Sequence, residues 1–324
     1  MYFSRIVATG GYLPSKILTN QDLANMVDTS DEWIYTRTGI KTRHIADKTE
    51  YTSDLAYKSA LDAFKNGNIN KNDIDGIIVA TTTPDNTFPS VATKVQGLLE
   101  INKGFAFDIQ AVCSGFIYAL TVADSMIKSN LATKILVIGA DTLSKLVDYT
   151  DRTTCILFGD GAGSVVIEKT EKNPLLDFNS GLISSELKSD GNYYDLLKTD
   201  GGVGVNQKAG TIFMNGTEVF KHATNNLSSI IDSILAKNNL TYKDIKWLIP
   251  HQANIRIINA MLKKLGLTNE NTILTIEKHG NTSAASVPLA LNEGIISGKI
   301  KKNDLILLEA LGGGFTWGAL LLRY

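Results

Sequence analysis

The sequence predicts an α/β protein built from two structurally repeated halves, and three observations predict it. Short apolar runs rich in β-branched residues alternate with longer amphipathic segments, the pattern of buried strands with helices packed on them. Matches recur at one offset of about 171 residues: Asn68, Asp73, Ile74 and Ile78 fall on Asn239, Asp244, Ile245 and Ile249, Ala119-Leu120 on Ala290-Leu291, and Ile135-Leu136 on Ile306-Leu307. One offset held over several segments marks an internal repeat. Each half also closes on a glycine-rich bend that runs into an apolar strand, GDGAGSVVIEK at 159–169 and GGGFTWGALLLRY at 312–324.

The elements follow in order. DLAYKSALDAFKN (54–66) is apolar at helical spacing. GIIVAT (76–81) is apolar on both faces, as a strand covered on both sides must be. FAFDIQAV (105–112) reads as a strand or loop that feeds the helix FIYALTVADSMIKS (116–129), and KILVIGA (134–140) as the next strand. The second half repeats the plan with EVFKHATNNLSSIIDSILAKN (218–238), WLIP (247–250), IRIINAMLKKLG (255–266) and DLILLEAL (304–311). Strand–helix alternation predicts parallel sheets. The halves meet where IEKTEKNPLLD turns polar, which divides the chain into 1–172 and 173–324. GDGAG is not a dinucleotide fingerprint: a strand follows it, and its spacing is not GxGxxG.

With 44% hydrophobic and 20% charged residues, the 324-residue chain has the composition of a soluble globular protein. A net charge of −1 excludes bulk polyanion binding, so electrostatic recognition, including of nucleic acid, would need a local patch. Two cysteines make no disulfide framework. Without a CxxC pair or HExxH, nothing points to a metal. No run approaches the roughly 20 apolar residues of a membrane span, and MYFSRIVATGGYLP lacks signal-peptide features. The expected compartment is the cytoplasm.

Cys113 lies at the start of a predicted helix in DIQAVCSGF. There, unpaired backbone N–H groups and the helix dipole favour thiolate and would lower its pKa from about 8.5. Packing as a small buried hydrophobe is the alternative. Cys155 sits in an apolar run and reads as core. His251 leaves the strand WLIP just before a helix, and Asn281 lies in HGNTSAAS beside His279, whereas His44 and His222 have no comparable context. By the repeat, HGNTSAAS is the counterpart of DIQAVCSG, so thiol, imidazole and carboxamide could converge at carboxyl ends of strands. Singly, His251 reads equally as an ordinary satisfied histidine and Asn281 as a turn residue. Gly312-Gly313-Gly314 is either a turn or a place for a backbone N–H to approach a ligand unhindered by a Cβ.

The ordered set AVCSGF, RTTCILFGDGAG, MNGTEVFK, PHQANIRI, HGNTSAASVPLAL and GGGFTWG, with VDTSDEWIYTRTGIKTRHI near the N-terminus, resembles β-ketoacyl-[acyl carrier protein] synthase III, the initiating condensing enzyme of bacterial fatty acid synthesis. The likeness runs from about Ile6 to the C-terminus. It implies the thiolase-like fold, a duplicated five-layer αβαβα arrangement with two pseudo-symmetric halves, as a homodimer. It implies decarboxylating condensation of a short acyl-CoA, acetyl-CoA in the first instance, with malonyl-acyl carrier protein to give 3-oxoacyl-acyl carrier protein. No cofactor is implied, acyl-CoA being a substrate.

By that resemblance Cys113 is the acyl-accepting nucleophile, His251 and Asn281 complete the triad, and the N–H groups of Cys113 and Gly313 form the oxyanion hole. Trp33 and Arg152 sandwich the adenine of CoA, and Arg37 meets a phosphate. Phe220, Ala253 and Asn254 line the pantetheine tunnel. Leu143, Phe158 and Leu197 shape the acyl pocket, and Phe88 reaches across the dimer into the partner's. Leu311 and Thr153 depart from the family pattern, where phenylalanine and glycine are common.

Arg256, Lys263 and Lys264 share one side of a predicted helix, and Lys221 follows Phe220 on another. If both flank the tunnel mouth, they form a basic surface for an acidic carrier protein; a solvated helix face is the bland reading. Two alternatives stand beside the condensing enzyme. One is a thiolase-fold acyltransferase of a polyketide or quinolone pathway. The other is a cysteine-dependent acyl-CoA hydrolase.

Overall fold

A computed structural model of the chain describes residues 2–174 and 179–324. Residues 175–177, the end of the polar stretch read above as the junction, lie outside the described residues. In the first half the strands are β1 (Phe3–Tyr12), β2 (Lys16–Thr19), β3 (Thr42–Ile45), β4 (Gly76–Ala80), β5 (Phe105–Ile109), β6 (Lys134–Thr142) and β7 (Asp160–Thr170). The helices are α1 (Asn20–Ala24), α2 (Asp31–Thr38), α3 (Thr52–Gly67), α4 (Val91–Leu98) and α5 (Gly115–Lys128). The second half contributes β8 (Gly181–Ser189), β9 (Leu197–Thr199), β10 (Ile212–Met214), β11 (Trp247–Pro250), β12 (Leu305–Gly312) and β13 (Thr316–Arg323), with α6 (Gly216–Lys237), α7 (Ile255–Leu265), α8 (Ile276–His279) and α9 (Ser286–Ile296).

Five layers result. One sheet has the order β1-β7-β6-β4-β5 and the other β11-β12-β13-β8. Side-chain alternation along each central strand sorts the cores. Ile135 and Val137 on β6, and Ile306 and Leu308 on β12, point inward onto α5 and α9, which fill the middle layer. Leu136 and Ile138 face α3 and α4. Leu305, Leu307 and Leu311 face α6 and α7. α5 is apolar nearly all round because both of its faces are covered.

The duplication is visible at the offset read from the sequence. β4 and β6 recur as β11 and β12, and the short turn Val112–Ser114 recurs as Ser283–Ala285. β5 has no strand counterpart; α8 stands there instead.

The expectation of parallel sheets needs correction, because both sheets are mixed. β4–β5, β4–β6 and β11–β12 run parallel, but β1, β7, β8 and β13 pair antiparallel. The physical reason lies in the connections. Only three residues join β12 to β13, too few for a crossover. No α-helix separates β6 from β7. Gly139 on β6 shows how closely the halves pack: a Cβ there would stand 2.2 Å from the Ala284 carbonyl oxygen.

Candidate active site

β5 delivers the chain to Cys113 through a strained turn. Val112 adopts φ +48°, a left-handed conformation that a β-branched residue rarely takes. The hydroxyls of Ser114 and Thr316 both lie against the Ala111 carbonyl, at 2.8 and 3.0 Å, and hold the turn. α5 begins two residues after Cys113. Gly312, the last residue of β12, lets that strand press on the turn, since a Cβ would fall 2.6 Å from the Cys113 nitrogen.

His251 follows β11, and its N–H donates to the Glu309 carbonyl on β12 at 2.8 Å. Its Nδ1 lies 2.6 Å from Ser286 Oγ. Gln252, fully buried, accepts from the N–H groups of Thr275 and Ile276 and donates to the Pro250 carbonyl. It thereby ties the end of β11 to the segment leading to Asn281. The Oδ1 of Asn281 accepts from Ser283 N–H at 2.9 Å, which leaves its amide N–H2 as the end available to a ligand. Asn281 also exchanges backbone bonds with Leu157 and Gly159.

Cys113, His251 and Asn281 line one cavity of about 630 Å³. Trp33, Arg37 and Arg152 line the same cavity, and so do Phe220, Ala253 and Asn254. The Arg152 guanidinium lies 5.1 Å from the Trp33 ring centre and that of Arg37 lies 4.6 Å from it. A second cavity of about 330 Å³ is lined by Leu143, Phe158, Leu197, Gly313 and, again, Cys113. The thiol thus stands at the junction of the two spaces. Phe88 is 83% exposed and lines neither. Leu311 and Thr153, the two departures, both line the larger cavity. Thr153 also caps Asp151, its hydroxyl 2.6 Å from Oδ1.

Burial sets the electrostatics. It pushes the Cys113 thiol up to about 12; a contact with Ser283 pulls the other way, and the Asp141 carboxylate pushes it up further. This corrects the expectation of a thiolate in the substrate-free site: the sequence displays the helix start but not how deeply the sulfur is enclosed. Burial holds His251 at about 3, so its imidazole is neutral. Cys155 is buried in a separate core, as expected. His279 packs edge-on against His44 at 6.2 Å and lines neither cavity.

Among the docking candidates, Lys221, Arg256, Lys263 and Lys264 are all exposed. Lys264 reaches Asn225 of α6 at 3.3 Å, and Arg256 covers the Phe220 ring at 6.0 Å, so α6 and α7 present one continuous surface. Lys221 faces Glu218 at 3.6 Å, which reduces its share of the positive charge.

Sequence reasoning missed four positioning groups. Val112 and its repeat mate Ser283 (φ +51°) are not residues that announce a left-handed backbone. Asp141 accepts from Thr81, Thr82, Thr83 and Ala284, and so links the two halves behind the thiol. Ser286 lies inside the quoted HGNTSAAS motif, but its bond to His251 is a tertiary contact. Among the described residues no cluster of His, Cys, Asp and Glu could hold a metal, and no helix is long and apolar enough to cross a membrane.

Two mixed sheets stacked on a shared helix layer, with a cysteine in the turn that opens onto one central helix, define a thiolase-like protein with a candidate acyl-accepting thiol. The family profile described as 3-oxoacyl-[acyl-carrier-protein (ACP)] synthase III matches residues 107–191, and the profile of its C-terminal part matches 235–324. Among curated proteins, the chain is 56% identical to a β-ketoacyl-[acyl-carrier-protein] synthase III of Wolbachia pipientis wMel, covering 99% of both chains. It is 53% identical to the protein of that name from Paramagnetospirillum magneticum, over 99% of this chain and 98% of the other. The crystal structure of 3-oxoacyl-[acyl-carrier-protein] synthase III from Aquifex aeolicus superposes with a TM-score of 0.93 at 47% identity, covering 99% of this chain and 100% of that one. The chain belongs to the β-ketoacyl-[acyl-carrier-protein] synthase III family, and it is an acyltransferase.

Proposed function

We propose that this protein initiates fatty acid synthesis by joining a short acyl-CoA, acetyl-CoA in the first instance, to malonyl-acyl carrier protein through an acyl-Cys113 intermediate. The observation that carries the reading is the shared cavity of Cys113, His251 and Asn281. The Cys113 sulfur attacks the acyl thioester carbonyl. The N–H groups of Cys113 and Gly313 hold the oxyanion, and the departing CoA sulfur takes the thiol proton.

In the second half-reaction the malonyl carboxylate leaves as CO₂ and an enolate forms. His251 and the Asn281 amide donate hydrogen bonds to its oxygen. With Ser286 Oγ donating to Nδ1, the imidazole carries its proton on Nε2, the tautomer that can donate. A neutral imidazole holds the enolate oxygen without protonating its carbon. That carbon attacks the acyl thioester, the C–S bond breaks, and the sulfur regains a proton as 3-oxoacyl-carrier protein departs.

The CoA nucleotide lies across Trp33, Arg37 and Arg152, and its arm follows Phe220, Ala253 and Asn254. Leu143, Phe158 and Leu197 bound the acyl chain. Phe88, exposed here, completes the pocket of a second copy in a homodimer, and carrier protein docks on the α6–α7 surface. No cofactor enters the scheme, and the reaction belongs in the cytoplasm. Incubation with labelled acetyl-CoA tests this reading. The label stays on the protein until malonyl-carrier protein discharges it into 3-oxoacyl product. Release as free acetate without malonyl substrate would instead indicate a hydrolase.

A further inference from the structure

One buried ionisable group in the cavity has no part in the scheme above. Glu309 occupies the middle of β12, in the run LILLEAL, where its odd-numbered neighbours Leu305, Leu307 and Leu311 all pack toward α6 and α7. It is 1% exposed and lines the cavity that holds Cys113, His251 and Asn281. Among the described residues its Oε2 has no hydrogen-bond partner and no cation pairs with it. Its backbone carbonyl receives the His251 N–H, so the acid sits one strand from the imidazole. Apolar side chains from the same two helices, Leu227 from α6 and Ile258 and Met261 from α7, line the same cavity.

A carboxylate there would be a bare charge in a low-dielectric space, and a carboxylic acid would not. The chemistry sharpens the distinction. Both half-reactions pass through an oxyanion or enolate in this cavity, and a negative charge fixed in the same cavity would oppose that charge. We propose that Glu309 serves the reaction as a neutral acid, and that condensation requires it to keep its proton. The proposal rests on the acyl-Cys113 reading of the site.

Supporting it, burial alone pushes the carboxyl up to about 8. The other titratable or charged groups reaching the cavity are Cys113, His251, Arg37, Arg152 and Arg256. The thiol is held at about 12 and the imidazole at about 3, so neither competes as the source of a change near pH 8. β13, the other neighbouring strand, places Ala319 opposite Glu309 and brings no charge there.

The test is a pH profile from 6.5 to 9.5 of CO₂ release from malonyl-carrier protein by the acetylated enzyme, for wild type, Glu309→Gln and Glu309→Met. Each is normalised to its own rate at pH 6.5. All three meet the same substrate, so alkaline losses of the substrate itself cancel. A required acid loses activity about ten-fold per pH unit beyond its pKa. By pH 9.5 wild type falls by more than about ten-fold relative to either uncharged variant, whose profiles stay flat. The methionine variant keeps the test open if glutamine leaves the core poorly packed. Coincident alkaline limbs in all three enzymes overturn the proposal. Failure of wild type to take an acetyl label at pH 7 overturns the underlying reading and the proposal with it.

Discussion

The turn before α5 and the turn before α9 are one backbone device used for two purposes. Each is a single 3₁₀ turn, Val112–Ser114 and Ser283–Ala285, each opens on a residue in the left-handed region, and they stand about 171 residues apart. In the first, the middle residue is Cys113, facing two cavities. In the second it is Ala284, pressed so tightly on β6 that only Gly139 fits beneath it. The second turn gives its backbone instead: Ser283 N–H fixes the Asn281 amide and Ala284 N–H binds Asp141. Duplication supplied two equivalent helix mouths; one holds the proposed nucleophile and the other orients the amide proposed to stabilise the enolate.

The largest expected effect on this pairing is at the amide. Asn281→Ala should still accept an acetyl label but lose malonyl decarboxylation by at least about 100-fold, the scale of one lost oxyanion donor. Separate assays of the two half-reactions check it, and equal damage to both would mean that the second turn serves the first half-reaction too. Next comes the link between the turns. Asp141→Ala strips partners from three threonines and from Ala284 and should cost about 3 kcal/mol or more of stability, read from denaturant unfolding. A variant as stable as wild type would show the halves to be held together without that carboxylate. The smallest effect is at the rim. Charge reversal at Lys263 and Lys264 should raise the KM for malonyl-carrier protein about ten-fold at low salt, less at high salt, and leave acetyl transfer from CoA intact.

How much of this was legible depended on the kind of signal. GIIVAT, KILVIGA and DLILLEAL lie in strands covered on both faces, and their largely apolar runs marked them as strands. The helices α3, α5, α6 and α7 carried clear periodicity, and the repeat survived in enough residues to fix its offset. Strand direction is not written in periodicity, although the three residues between β12 and β13 already demanded a hairpin. The motifs brought Cys113, His251 and Asn281 into view, yet the thiol's protonation depends on enclosure by distant segments. Glu309 was in plain sight within its apolar run. Its importance depends on what lies across from it, and that is set by α6 and α7, which sequence spacing alone does not position.

The central claim is that Cys113, although buried and protonated at rest, receives the acyl group. The most direct measurement is peptide mass mapping of the protein after brief exposure to acetyl-CoA. The account predicts a single acetyl adduct on the peptide bearing Cys113, absent from Cys113→Ala. An adduct on any other residue, or one that persists in the variant, would contradict it.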